Sequence, residues 1–249
     1  MPRDVLPLVR AVNEALHRLE HGFAVQQEFV ADAAHELRTP LAILRAEAEA
    51  LADRQAARDL LSDIAGMTRI VNQLIETAEF DRLTIRPGDV ADIRAVCIDV
   101  AAFMAPVAVA QDRNIAVGGS SEPIWVAGNA GALFQAVRNL VENAVIHTAP
   151  GTTVEIAAND DGTIIVSDAG PGIPEERREL IFQRFWRGDR RRADSAGLGL
   201  AIVARIVSAH GGSIAIRDGA AGGAVFVVQL RPAAGNAVPR AQPARVQAL

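Results

Sequence analysis

The chain has 249 residues, half of them hydrophobic, a formal charge of -5 and a single cysteine, Cys97. That size and composition suit one or two buried cores, and the acidic balance gives no field that would draw nucleic acid or an anionic membrane. All 25 basic residues are arginine, which excludes a Gly-Lys-Ser/Thr phosphate loop, a Schiff-base lysine and the strand lysine of protein kinases, while one cysteine excludes an internal disulfide and a cysteine-based metal cluster and suits a reducing cytoplasm. The longest apolar stretch, Val100 to Ala110, is about half a membrane span, and the N-terminus has no signal-peptide pattern.

The first predicted element is a long amphipathic helix. Val12, Leu16, Leu19, Phe23, Val30, Ala33, Leu37, Leu41, Leu44, Ala48 and Leu51 follow three-four spacing and draw one stripe along it. His35 is off that stripe, about 200° around the helix from Ala33, so its imidazole faces solvent together with Asp32 and Thr39. A neutral imidazole is a usable nucleophile near pH 7, and the neighbouring Glu36 can accept its ring proton. One turn on, the Thr39 hydroxyl is placed to orient a water against a group carried on the ring. Pro40 removes a backbone donor beside this site and is expected to bend or loosen the helix.

A second amphipathic helix carries Leu60, Leu61, Ile64, Met67, Val71, Leu74 and Ala78. Two such helices form an antiparallel hairpin that cannot bury both stripes alone, which predicts a homodimer closed as a four-helix bundle. Arg86-Pro87-Gly88-Asp89 reads as a hinge, with Asp89 available to cap the next helix. Beyond it the patterns predict a helix over 93–110, strands near Ile115 and Ile124, a helix over 132–146, and strands over 154–158 and 163–168. After a long loop follow a helix over 198–209 and strands over 213–217 and 224–230. This order predicts an α/β sandwich, with the Ala- and Pro-rich end of the chain disordered. The boundaries are a linker helix over 1–25, a helical-hairpin domain over 26–85, an α/β domain over 86–232 and a tail over 233–249. The chain opens directly in helical register and reads as the cytoplasmic part of a longer protein.

Five segments lie in this framework: His35-Glu-Leu-Arg-Thr-Pro-Leu41; Asn139-Leu-Val-Glu-Asn143 on one helix; Asp168-Ala-Gly-Pro-Gly-Ile173 after a strand; Ile181-Phe-Gln-Arg-Phe-Trp-Arg187; and Gly197-Leu-Gly-Leu200 leading into a helix. Together they resemble the H, N, G1, F and G2 boxes of bacterial sensor histidine kinases of two-component systems. The resemblance covers nearly the whole chain. It implies a dimerisation and phosphotransfer hairpin followed by an ATP-binding domain of the Bergerat type, the fold shared with gyrase and ninety-kilodalton heat-shock chaperones.

On that resemblance His35 is the phosphorylated residue, Glu36 its general base, and Thr39 the residue that supports dephosphorylation. ATP and Mg²⁺ are the implied cofactors. Asn143 inherits the metal role, with Asn139 a helper near the phosphates. Asp168, Gly170, Gly172 and Ile173 would face the base. Phe182, Phe185 and Arg187 belong to a lid, and Gly197, Leu198, Gly199 and Leu200 would meet the phosphates. The implied partner is the receiver aspartate of a response regulator, and the implied membrane attachment lies in a missing N-terminal part. Three positions depart from the family pattern. Ile146 stands where a Lys or Arg commonly follows the N box, leaving His147 or lid arginines to take its place; Asn129 replaces a frequent Asp, and Ser195 replaces the first glycine of the G2 triplet.

Overall fold

A computed structural model of the chain describes residues 14, 18, 22, 25, 33, 36–51, 53–81, 83–184, 186, 197–219 and 222–233. His35 and Asp32, Phe185, Arg187, Ser195, and most of the segments over 1–25 and 233–249 lie outside the described residues. The chain divides into two compact units, Met1–Arg82 with Asp189–Leu198, and Leu83–Gly188 with Gly199–Leu249.

In the first unit, helix α1 spans 36–49, with Pro40 inside it, and α2 spans Arg54–Asp81. Asp53 starts α2, because its Oδ1 accepts from the free N–H groups of Gln55 at 2.9 Å and Ala56 at 3.1 Å. The helices share a narrow core of Leu41, Ala48, Ile64 and Val71, with Leu61 packed beside it. A second set of large apolar side chains stays exposed: Leu37, Leu44 and Leu51, seven residues apart, and Leu60 and Met67, also seven apart. Heptad spacing keeps such residues on one seam.

The second unit is a two-layer sandwich. Strand β1 (Val90–Asp92) pairs antiparallel with β3 (Trp125–Ala127). The main sheet has the order β2-β4-β5-β7-β6, built from β2 (Asn114–Gly119), β4 (Thr153–Asn159), β5 (Thr163–Ser167), β6 (Ser213–Asp218) and β7 (Ala224–Gln229). Only β2 and β4 run parallel; the other neighbours are antiparallel. Helices α3 (Ile93–Ala110), α4 (Ala130–His147) and α5 (Gly199–Ala209) lie side by side over one face, α3 against β2 and β4, α4 against β4 and β5, and α5 against β6.

Alternation along the strands explains the core. Val154, Ile156 and Ala158 of β4, Ile164 and Val166 of β5, and Phe226 and Val228 of β7 all point under the helices. They meet Val100 and Met104 of α3, Leu140 and Val141 of α4, and Ile202 and Ile206 of α5 in the same buried layer. Each fully buried side chain of this size contributes about 1.5–3 kcal/mol before ordering costs. By length and composition α3 alone, among the described residues, is apolar enough to cross a membrane, well beyond the stretch from Val100 that the sequence marks out. Its buried side chains, Ile93, Val96, Cys97, Val100, Met104 and Ala108, belong to the sandwich core.

Two details differ from the sequence expectation. Asp89 does not cap a helix: its Oδ2 accepts from the Arg86 N–H at 3.0 Å and closes the 86–89 turn. The cap of α3 is Asp92, whose Oδ1 accepts from Arg94 and also from Ile124 N–H, both at 3.0 Å. The long loop after β5 contains two single 3-10 turns, Glu175–Arg177 and Leu180–Phe182.

Candidate nucleotide site

Helix α4 is gripped at both ends. At its start, Asn129 is the cap, with Oδ1 accepting from Ala132 N–H at 2.9 Å. An Asn serves this role as well as an Asp, so the departure at Asn129 leaves the helix start intact. Asn129 N–H donates in turn to Nε2 of the buried His210 at 3.0 Å, while His210 Nδ1 donates to the Ile206 carbonyl at 2.7 Å. The acceptor role of Nε2 fixes the neutral tautomer, and burial holds the His210 pKa below its usual range. Gly128 is required beside this ring, because a Cβ there would lie 2.3 Å from His210 Cδ2. At the far end, Arg113 donates from Nε and Nη2 to the Thr148 carbonyl at 3.1 and 2.5 Å.

Between these anchors α4 presents three amides at one-turn spacing, Gln135, Asn139 and Asn143. Asn139 is 5% exposed, and its Nδ2 and the Gln135 Nε2 are buried without a hydrogen-bond partner among the described residues. Asn143 is half-buried on the same face. Buried amide donors without partners are costly in a resting fold, which makes this face of α4 a candidate ligand surface. Gln135 was not singled out in the sequence, although the same four-residue spacing that marks the two asparagines includes it.

The start of α5 abuts this row. A Cβ on Gly199 would stand 3.7 Å from Asn139 Oδ1, so the free N–H groups and positive dipole end of an eleven-residue helix lie beside the amides. Gly197 has φ +69°, a conformation that favours glycine, and Leu198 is fully buried. Leu200 is half-buried in the first turn of α5.

The opposite end of α4 meets the loop after β5. A Cβ on Gly170 would lie 2.9 Å from both the His147 carbonyl and Asp168 Oδ1, which leaves room only for glycine. Asp168 Oδ1 accepts from Gly170 N–H at 2.8 Å and Ala224 N–H at 3.1 Å. Oδ2 makes no hydrogen bond among the described residues and is the oxygen available to a ligand. Gly172, at φ +74°, and Ile173 are half-buried. His147 is exposed in the last turn of α4, and Ile146 is half-buried. Phe182 is half-buried beside the buried Ile181. On α1, Glu36 and Thr39 are both exposed.

Residues 128–234 match the family described as Histidine kinase-, DNA gyrase B-, and HSP90-like ATPase, and residues 25–83 match the His Kinase A (phospho-acceptor) domain. A solved structure, the mycobacterial sensor histidine kinase MprB, is 30% identical, with a TM-score of 0.50, over 58% of this chain and 99% of that one. The chain belongs to the sensor histidine kinases. A second solved structure, full-length ShkA in complex with AMPPNP, is 29% identical with a TM-score of 0.64 over 83% of this chain and 46% of that one. Among curated kinases, the signal transduction histidine-protein kinase/phosphatase MprB of Mycolicibacterium smegmatis is 34% identical over 242 residues, 88% of this chain and 48% of that protein. The chain spans about half the length of the curated relatives it matches. Membership of this family makes the second unit an ATP-binding domain of the histidine-kinase type.

Proposed function

We propose that the chain is the cytoplasmic, catalytic part of a membrane-attached sensor protein, that it transfers the γ-phosphoryl group of ATP to His35, and that it passes the group to an aspartate of a response regulator. The observation that carries this reading is the pair of buried amide donors without partners, Gln135 Nε2 and Asn139 Nδ2, on α4 beside the start of α5, in a chain whose phospho-acceptor segment matches over 25–83. From Asn139 to His147 α4 rises about 12 Å. On this reading the phosphates lie toward Asn139 and Gly199 and the base toward Asp168, near opposite ends of α4.

Asn139 and Gln135 donate to phosphate oxygens and so gain the partners they lack, and the α5 amides from Gly199 and Leu200 meet the triphosphate. Gly197 and Leu198 lead into this helix start. Asp168 Oδ2 accepts from the adenine amino group, with Gly170, Gly172 and Ile173 letting backbone approach the base. Phe182, Phe185 and Arg187 belong to the covering lid, and His147 supplies a partial charge in place of the basic residue absent at Ile146. The donor set fits a hard cation: Mg²⁺ would be held by the Asn143 amide oxygen and would neutralise charge on the phosphates.

His35 attacks the γ-phosphorus; the N–P bond forms as the bond from phosphorus to the ADP oxygen breaks, and Glu36 takes the ring proton. Thr39 orients water for the reverse, phosphatase, reaction, which accords with the kinase/phosphatase relative. Domain boundaries at 26–85 and 86–232 follow from the same reading. The seam of Leu37, Leu44, Leu51, Leu60 and Met67 is the surface that a second copy covers.

The test separates binding from transfer. His35→Gln is expected to bind ATP as the unaltered chain does in calorimetry while acquiring no label from γ-labelled ATP, and Asn139→Ala to lose both. ATP binding unaffected by Asn139→Ala would contradict the site.

A further inference from the structure

Residues 168–174 have no regular secondary structure, yet on the nucleotide reading they are the segment that faces the base. Their first half is held by β7: Asp168 N–H donates to the Ala224 carbonyl at 3.0 Å, and Gly223 lies so close beneath that a Cβ would sit 1.9 Å from the Asp168 carbonyl oxygen. Gly172 also packs against Gly223, whose carbonyl oxygen would lie 3.3 Å from a Cβ there, but among the described residues no backbone hydrogen bond holds 171–173. One side chain does. Arg178, 24% exposed, donates from Nε to the Ile173 carbonyl at 3.0 Å, from Nη2 to Asp218 Oδ1 at 2.5 Å, and from Nη1 to the Ile216 carbonyl at 3.5 Å.

Among the described residues strand β6 is a sheet edge, bonded only to β7, so its outward carbonyls are open to such a contact. Asp218 is 75% exposed, and an ion pair at that exposure contributes little. The ordering contacts are the two carbonyls, which the rigid guanidinium fork reaches at once and an ammonium would not.

Resting on the nucleotide reading above, we propose that Arg178 is a positioning residue for nucleotide binding: it fixes the Asp168–Ile173 loop to β6 and so prepays the order that the base would otherwise have to impose on binding. It does not touch the nucleotide. Its removal therefore weakens every adenine nucleotide by the same factor, whatever its phosphates, and leaves the transfer step alone.

The test uses the full chain. Affinities for ADP and AMPPNP are measured by calorimetry, and autophosphorylation is followed against ATP concentration, for the unaltered chain, Arg178→Ala and Arg178→Lys. Arg178→Ala is expected to weaken ADP and AMPPNP equally, by about tenfold, and to raise KM for ATP with kcat unchanged. Faster amide exchange at Gly172 and Ile173 accompanies the loss, and Arg178→Lys falls between. Affinities within twofold of the unaltered chain would overturn the proposal, as would a loss confined to AMPPNP or a fall in kcat. Arg178→Lys carries the same comparison if the alanine variant does not fold. An unaltered chain that binds neither nucleotide would overturn the nucleotide reading and this inference with it.

Discussion

Replacing His210 by Phe keeps a flat ring against Gly128 but removes the acceptor of the Asn129 N–H. The Ile206 carbonyl keeps a partner, because the main-chain N–H of residue 210 also donates to it, at 3.1 Å. One part-buried donor therefore loses its acceptor at the start of α4, a cost of about 1 kcal/mol, or about 2–4 °C in the melting temperature of a domain of this size. The pH dependence is the sharper signature. The folded pKa of His210 is lowered by burial, so an unfolded chain takes up a proton there before the folded one does. Its contribution is fully present above the unfolded pKa of about 6.5 and is lost as pH falls below it, at up to about 1.4 kcal/mol per pH unit. Urea unfolding of the full chain at pH 7.5 and 5.5, followed by the combined fluorescence of Trp125 and Trp186, reads this directly. The unaltered chain should lose more stability on acidification than His210→Phe does, the other histidines cancelling in the comparison. Equal losses would refute the reasoning.

Gly223→Ala forces a Cβ to 1.9 Å from the Asp168 carbonyl oxygen at φ +84°, and should destabilise the second unit by more than about 3 kcal/mol in denaturant titration, whereas Gly222→Ala, with open space but the same positive φ, should cost about 1 kcal/mol. Cys97 is buried and its thiol is pushed up to about 12, by burial first and the Asp92 charge second; it should resist a thiol-specific reagent at pH 8 until the chain is unfolded, and rapid labelling of the native protein would contradict its placement. Leu44→Glu puts a charge on the exposed seam while sparing the Leu41, Ala48, Ile64 and Val71 core; sedimentation should show a dimer become a monomer of unchanged helix content.

Much of the sandwich is legible in the residues because its elements are long and strictly patterned. The alternation in Val154 to Ala158 and Ala224 to Leu230 is that of strands with one face buried, and the structure places β4 and β7 there within a residue or two. Strand β1 escapes notice because three residues, Val90–Asp92, carry no period; it exists through its pairing with β3. The cap of α3 is misread for a related reason. Asp89 and Asp92 both precede the apolar run, and only the structure shows which carboxylate meets the free N–H groups. At the site, Asn139, Asn143, Asp168 and the glycines stand out by residue type and spacing. His210 and Arg178 do not, since each joins a near partner, Ile206 and Ile173, to ones 81 and 38–40 residues away in sequence, and no local pattern records the distant contact.

The central claim is that His35 accepts a phosphoryl group from nucleotide held on α4. Incubating the full chain with γ-labelled ATP and Mg²⁺, then locating the label, tests it most directly. The account predicts an acid-labile, alkali-stable label on the peptide containing His35, absent from His35→Gln. An acid-stable label, or one that persists undiminished in His35→Gln, would contradict it.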